Sequence, residues 1–206
     1  MTSSTGVFAD VSRETSERLA GFAALLRKWN PVINLVARST LDALEERHLV
    51  DSAQLFQHLP PSARRWADLG SGGGFPGLVI AILAAEQAPD LTVELIESDQ
   101  RKATFLRTAA RELGLGNVTV LAERIESLPP RHADVISARA LAPLTELLDH
   151  AERHLAEDGI ALFPKGARHG EELDAALASW RFDVQKIPST TDPQAVILKI
   201  GGIARV

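Results

Sequence analysis

The chain has 206 residues, no cysteine and a formal net charge of −5. That length suits one domain with a sizeable core, and the absence of thiols excludes disulfides, a cysteine nucleophile, zinc-thiolate sites and cysteine-ligated iron–sulfur clusters. The charge argues against a general nucleic-acid binder yet leaves room for a local basic rim, because only cations that touch phosphates release counterions.

The opening Met1-Thr2-Ser3-Ser4-Thr5-Gly6 has no basic start and no apolar stretch behind it, and no segment approaches membrane-spanning length. A soluble, cytoplasmic protein is expected. From Ser12 to Trp29, Leu19, Phe22, Leu26 and Trp29 recur at spacings of three and four, which predicts an amphipathic helix. Asn30-Pro31 is expected to stop it. After the apolar connector Val32 to Val36, a second helix is expected from Ser39 or Thr40, either of which suits an N-cap. It would turn Leu41, Leu44, Leu49 and Leu55 inward and end before Pro60-Pro61.

The chain's centre of organisation follows. Arg65 to Leu69 reads as a short strand, Gly70-Ser71-Gly72-Gly73-Gly74-Phe75-Pro76-Gly77 as a tight loop, and Leu78 to Leu83 as a buried helix opened by Pro76. Such a loop lets a ligand lie on the backbone while the helix start aims free N–H groups at it. Gly72 to Gly77 formally fits the G-x-G-x-x-G dinucleotide fingerprint. Asp68, two residues before the first glycine, would repel a pyrophosphate and attract an ammonium or sulfonium, so the register Asp68-x-Gly70-x-Gly72-x-Gly74 favours S-adenosylmethionine over a nicotinamide or flavin. A plain turn has no use for five glycines, given their entropic cost.

Beyond the loop, strands alternate with helices. Leu91 to Glu97, Val118 to Leu121, Ala133 to Ser137 and Gly159 to Phe163 read as strands, with helices over Arg101 to Leu113, closed by Gly114, and Pro143 to Leu155. This is the pattern of an α/β, doubly wound parallel sheet. Trp180 to Ile187 and Ala195 to Ile200 are joined by too short a link for a crossover, so an antiparallel hairpin is expected at the sheet edge. The whole is one domain: a helical extension over residues 1–62 and an α/β core over 63–206.

Ligands in open α/β sheets sit beyond the carboxyl ends of the strands. Glu97 ends the second strand, where an acid can accept ribose hydroxyls, or merely begin the next helix. After the third strand, Ile125 is placed to flank an adenine and Glu126 to meet its amine, although Glu123-Arg124-Ile125-Glu126 is also ordinary loop composition. Arg139 and Lys165 follow the fourth and fifth strands, two cations suited to an anionic or electron-rich second substrate such as phosphate or a guanine edge; solvated loop cations are the alternative. His150 and His154 sit four apart without H-E-x-x-H context, so a solvated helix face is expected and no metal site. His48 and Asp51 interrupt an apolar helix; they either lean over the loop, or Asp51 only satisfies a buried histidine.

Trp29-Asn30 with Asn34-Leu35, Arg47-His48-Leu49-Val50-Asp51-Ser52, Asp68 to Gly77, Glu97-Ser98 with Arg101-Lys102 and Phe105-Leu106, Ser137-Ala138-Arg139-Ala140 and Lys165-Gly166 occur in that order over nearly the whole chain. In this the chain resembles the bacterial 16S ribosomal RNA guanine-N7 methyltransferases, the glucose-inhibited division protein B family. The resemblance implies a class I S-adenosylmethionine-dependent methyltransferase with a Rossmann-like core and a mostly parallel seven-stranded sheet, acting on N7 of one guanine of 16S rRNA. It implies cofactor contacts at Gly70, Phe75, Ile125, Glu126 and Arg139, with Glu97 at the ribose. The expected cofactor set also includes Asp68, Ser71, Gly72 and Gly74; Arg139 and Lys165 are the expected catalytic residues and, with His48, the acceptor contacts. The acceptor is naked rRNA, the 30S subunit or an assembly intermediate, and a monomer is expected. Two other classes stay open: an enzyme of this fold acting on a small molecule or protein, and a non-catalytic cofactor-sensing or ribosome-binding module.

Overall fold

The computed structural model describes residue 8 and residues 11–206; the opening Met1 to Gly6, read above for a leader, lies outside the described residues. Thirteen regular elements follow in chain order: α1 (Arg13–Ile33), α2 (Asp51–Phe56), β1 (Arg65–Leu69), α3 (Gly77–Gln87), β2 (Thr92–Ile96), α4 (Gln100–Glu112), β3 (Val118–Leu121), β4 (Ala133–Ala138), α5 (Leu144–His154), β5 (Leu155–Lys165), α6 (His169–Leu177), β6 (Trp180–Pro188) and β7 (Val196–Arg205). They build a seven-stranded sheet of order β3-β2-β1-β4-β5-β7-β6. β3 through β5 run parallel, whereas β7 is antiparallel to both β5 and β6, so the expected hairpin closes one edge.

Side chains alternate across the central strands, and each face receives its own core. Trp66, Val93, Leu95 and Val135 point into the layer of α1 to α4, where Phe22, Leu26 and Phe105 are fully buried. Ala67, Ile96 and Ile136 point into the layer of α5 and α6 with Leu148, Phe163 and Trp180. Each large side chain so buried stabilises the fold by about 1.5–3 kcal/mol. α3 is apolar all round because every residue from Gly77 to Ala84 is buried.

Four expectations need correction. α1 does not stop at Asn30-Pro31 but runs on to Ile33. Pro31 removes only its own N–H from the last turn; the turn still closes through Asn34 N–H donating to Asn30 O, with Asn34 left-handed at φ 48° and the buried Asn30 Oδ1 accepting from Val36 N–H at 2.8 Å. The second helix is broken: a tight turn at Arg38–Thr40, then a widened helical turn over Glu45–Val50, and only then α2. Leu44, Leu49 and Leu55 are buried, whereas Leu41 is only partly so. β5 is longer than Gly159 to Phe163, starting directly where α5 ends. α6 lies outside the expected elements: Gly166 and Gly170 flank its start, and only Leu173 and Ala176 are buried, too few to write a helical period.

Candidate functional site

The site lies at the carboxyl ends of β1, β2 and β4, where the sheet order reverses direction. β1 enters the loop at Gly70, held at φ 65°, where an added Cβ would lie 2.6 Å from Leu141 Cδ1; a side chain there would strain the backbone and displace Leu141. Ser71 N–H donates to Ile96 O at 3.0 Å, tying the loop to β2. Gly72 N–H donates to Glu97 Oε2 at 2.9 Å, and Asp99 N–H donates to Glu97 Oε1 at 2.8 Å. Glu97, 8% exposed, thus fastens the loop and lines a cleft of about 510 Å³. Gly70, Ser71, Gly72, Phe75, Glu97, Ile125, Glu126, Arg139 and His48 all line this cleft, a volume in the range that holds a nucleoside-sized ligand.

Asp68 does not. Its carboxylate is 0% exposed, accepts from Ser137 Oγ at 2.7 Å through Oδ1 and from Gly77 N–H at 3.1 Å through Oδ2, and lies beneath the loop instead of in the cleft. The side chain read as an ammonium-attracting floor is a structural anchor: it joins the first amide of α3 to β4, and Ser137 Oγ in turn accepts from Trp66 Nε1 at 2.8 Å. Burial pushes the Asp68 carboxyl up to about 6, against its hydrogen bonds from Ser137 and Gly77, the nearby Ser71 hydroxyl and the Arg139 charge, which pull the other way. Gly74 is likewise displaced from the expected set, packed against Leu78 and Phe22, while Gly73 takes a place in the lining.

Arg139 is the most heavily supported side chain of the site. Its guanidinium donates to Asp51 Oδ2 at 3.2 Å, to Arg47 O at 3.3 Å and to His48 Nδ1 at 2.8 Å, and stands 5.0 Å over the Phe75 ring. Because guanidinium only donates, Nδ1 of His48 is the acceptor and Nε2–H donates to Thr40 Oγ1 at 2.8 Å. This requires a neutral imidazole. Desolvation, then the Arg139 and Arg47 charges, lower the His48 pKa to about 4, so it is neutral at pH 7. His48 also stacks on Phe75, with ring centroids 5.0 Å apart. Asp51 therefore satisfies Arg139, and through Oδ1 the Thr191 hydroxyl at 2.9 Å, not His48. Desolvation lowers the Arg139 pKa from its usual value, opposed mainly by Asp51.

Lys165 stands apart from the cleft, in the wall of a neighbouring cavity of about 810 Å³ that shares Arg139 and the loop Ala140 to Ala142 with it. It is not a free cation: Nζ donates to Glu172 Oε2 at 2.7 Å and to Ala142 O at 3.0 Å, leaving the side chain 9% exposed. The two histidines of α5 also depart from the expected solvated face. His150 lines the cleft, and His154 is fully buried with no hydrogen-bond partner on either ring nitrogen. Among the described residues no group of three His, Asp or Glu side chains gathers to hold a metal, and no helix is long and apolar enough to cross a membrane. Leu35, Val36 and Leu141 line the cleft without having been singled out. Apolar residues carry no chemical signature, and only the chain's path brings them there.

The GidB family model, described as rRNA small subunit methyltransferase G, matches residues 15–197. A protein of Cereibacter sphaeroides named Ribosomal RNA small subunit methyltransferase G is 59% identical over 197 residues, 96% of this chain and 95% of its own. A protein of the same name from Rhodospirillum centenum is 55% identical over 194 residues, 94% of this chain and 87% of its own. Among solved structures, a SAM-dependent methyltransferase from Aquifex aeolicus superposes with a TM-score of 0.58 at 16% identity, covering 86% of this chain and 97% of that one. A ribosomal protein L11 methylase from Lactobacillus delbrueckii subsp. bulgaricus gives 0.58 at 21% identity, covering 73% and 75%. These two share the α/β fold. The family match and the relatives, spanning nearly the full length, go further: the chain belongs to the GidB family, the rRNA small subunit methyltransferases G.

Proposed function

We propose that this chain transfers the methyl group of S-adenosylmethionine to N7 of one guanine in 16S rRNA. The observation that carries the reading is the shared wall of the two cavities: Arg139, at the end of β4, borders both the glycine-loop cleft and the space beside it. A donor held in one and a base held in the other would meet beside Arg139.

The cleft's own residues fit the cofactor. Glu97, Glu123, Glu126 and Glu146 outnumber the cations Lys102, Arg124 and Arg139 around it, an environment that disfavours a pyrophosphate and favours a ligand bearing an ammonium and a sulfonium. The discrimination assigned to Asp68 from sequence thus belongs to these wall carboxylates. In this reading Glu97 takes the ribose hydroxyls, Ile125 the face of the adenine and Glu126 its amine; all three line the cleft. When bound, the cofactor supplies an electrophilic methyl carbon on sulfur. Guanine N7 carries an in-plane lone pair and no proton, so the protein needs no general base; Asp68 is walled off and both nitrogens of His48 are engaged. What the chain supplies is orientation, an effect on the order of 7–11 kcal/mol when alignment is best. Arg139, braced by Asp51, His48 and Phe75, has N–H groups to spare for guanine O6 or a phosphate.

The reading extends to a monomer working in the cytoplasm on the 30S subunit or an assembly intermediate, with residues 1–62 as an extension of the catalytic unit 63–206. A net charge of −5 leaves little long-range pull on naked rRNA, which favours recognition of an assembled particle. Replacing Arg139 by alanine is expected to abolish methyl incorporation into 16S rRNA while circular dichroism stays native. Mapping N7-methylguanine in rRNA from a strain lacking the protein, against its parent, tests the acceptor: the same methylation pattern in both strains would refute it.

A further inference from the structure

Lys165 and Glu172 make bonds that converge on one short loop. Ala140-Leu141-Ala142 lines both cavities where they adjoin. Ala140 is held at φ 52°, a left-handed conformation unfavourable for a residue with a Cβ. Leu141 leaves 38% of its surface exposed and rests on the glycine loop at Gly70. A strained loop carrying an exposed leucine needs support from outside itself, and the support is visible. Lys165 Nζ donates to Ala142 O at 3.0 Å and to Glu172 Oε2 at 2.7 Å, and Leu144 N–H donates to the same Glu172 oxygen at 2.9 Å. The end of β5 and the first turns of α6 therefore hold the loop by a carbonyl before Pro143 and an amide after it.

We propose that Lys165 and Glu172 are positioning residues: together they clamp the Ala140-Leu141-Ala142 partition, and through it Arg139, so that donor and acceptor meet in line, and Lys165 makes no contact with RNA. The proposal rests on the methyl-transfer reading above. Its chemistry is specific to the charge pair, since a neutral residue at either place leaves one loop contact without its charged partner.

The test uses the full chain with Lys165→Met, Glu172→Gln and the double substitution, assayed for methyl transfer to unmodified 30S subunits, for S-adenosylmethionine affinity by calorimetry, and for 30S affinity across a salt series. Each single variant is expected to lower kcat about ten- to hundredfold, the scale of a lost charge-assisted hydrogen bond, with KM for 30S little changed. Cofactor affinity falls several-fold, because the partition lines that cleft too. The double variant falls no further than the worse single one, as members of one unit do, and the salt slope stays that of the wild type. A slope shallower by about 0.7–0.9 in Lys165→Met, with Glu172→Gln fully active, would overturn the proposal in favour of a phosphate contact; so would full activity of both. Should Lys165→Met fail to fold, the near-isosteric Glu172→Gln carries the same expectations. Wild-type protein that transfers no methyl group would instead refute the methyl-transfer reading, leaving the cofactor-affinity comparison to judge the clamp.

Discussion

At the scale of single residues, the site separates charge that acts from charge that holds. Asp68 holds: fully buried, it ties Gly77 N–H to Ser137 Oγ. Its pKa of about 6, against 3.8 in an unfolded chain, means that between those values the folded state carries the extra proton. Stability from this group is therefore present at low pH and is lost as pH rises through about 6, by about 3 kcal/mol in all. His48 acts in the opposite sense, because its lowered pKa makes the unfolded state the better proton acceptor between about 4 and 6.5. The two effects overlap in the wild type, so the comparison that isolates Asp68 is with Asp68→Asn. Relative to that variant, the wild type is expected to gain stability as pH falls from about 7 to 4 in denaturant melts. A constant difference across that range would mean Asp68 titrates normally.

At the scale of elements, the unit of β1, loop and α3 is fastened from below as well as above. Gly77 shows how tightly: an added Cβ would meet Leu95 Cδ2 at 2.3 Å and Asp68 Oδ2 at 2.7 Å. Gly77→Ala is expected to lose about 1–3 kcal/mol in urea unfolding, the usual cost of overpacking, and to weaken cofactor binding by displacing Asp68 and the first turn of α3. Gly116→Ala, with nothing within 4 Å of its added Cβ, is the control and should stay within about 0.5 kcal/mol of wild type. Equal losses at both positions would remove packing at Gly77 as the reason, since alanine in place of glycine lowers the entropy of the unfolded chain and by itself stabilises. The widened turn over Glu45–Val50 has a local role of the same kind. It breaks the expected regular helix and brings His48 and, just beyond it, Asp51 onto Arg139.

At the scale of the whole molecule, the N-terminal helix is part of the site's foundation. Phe22 and Leu26 are fully buried in the core beneath α3, Phe22 lies 5.1 Å from the Phe75 ring that carries His48 and Arg139, and the adjoining Leu35 and Val36 line the cleft. Deleting residues 1–33 is expected to leave an insoluble chain, read as loss of soluble yield; a soluble deletion variant with native cofactor affinity would show α1 to be dispensable. Much of this architecture was legible beforehand. Strand and helix alternation, the edge hairpin and the glycine loop are written in periodicities of two and three to four residues and in glycine placement, all local properties that a chain carries before it folds. By the same route Glu97, Ile125, Glu126 and Arg139 were placed on strand ends, and strand ends meet at one cleft in any parallel sheet. What sequence left undecided is which charges stay free. Asp68 and Lys165 have the composition of ligand-binding residues, yet Asp68 is consumed by Ser137 and Gly77, and Lys165 by Glu172 of a helix that local pattern did not reveal. A side chain's partner across the fold is set by how distant segments pack. Only the tertiary structure could decide that.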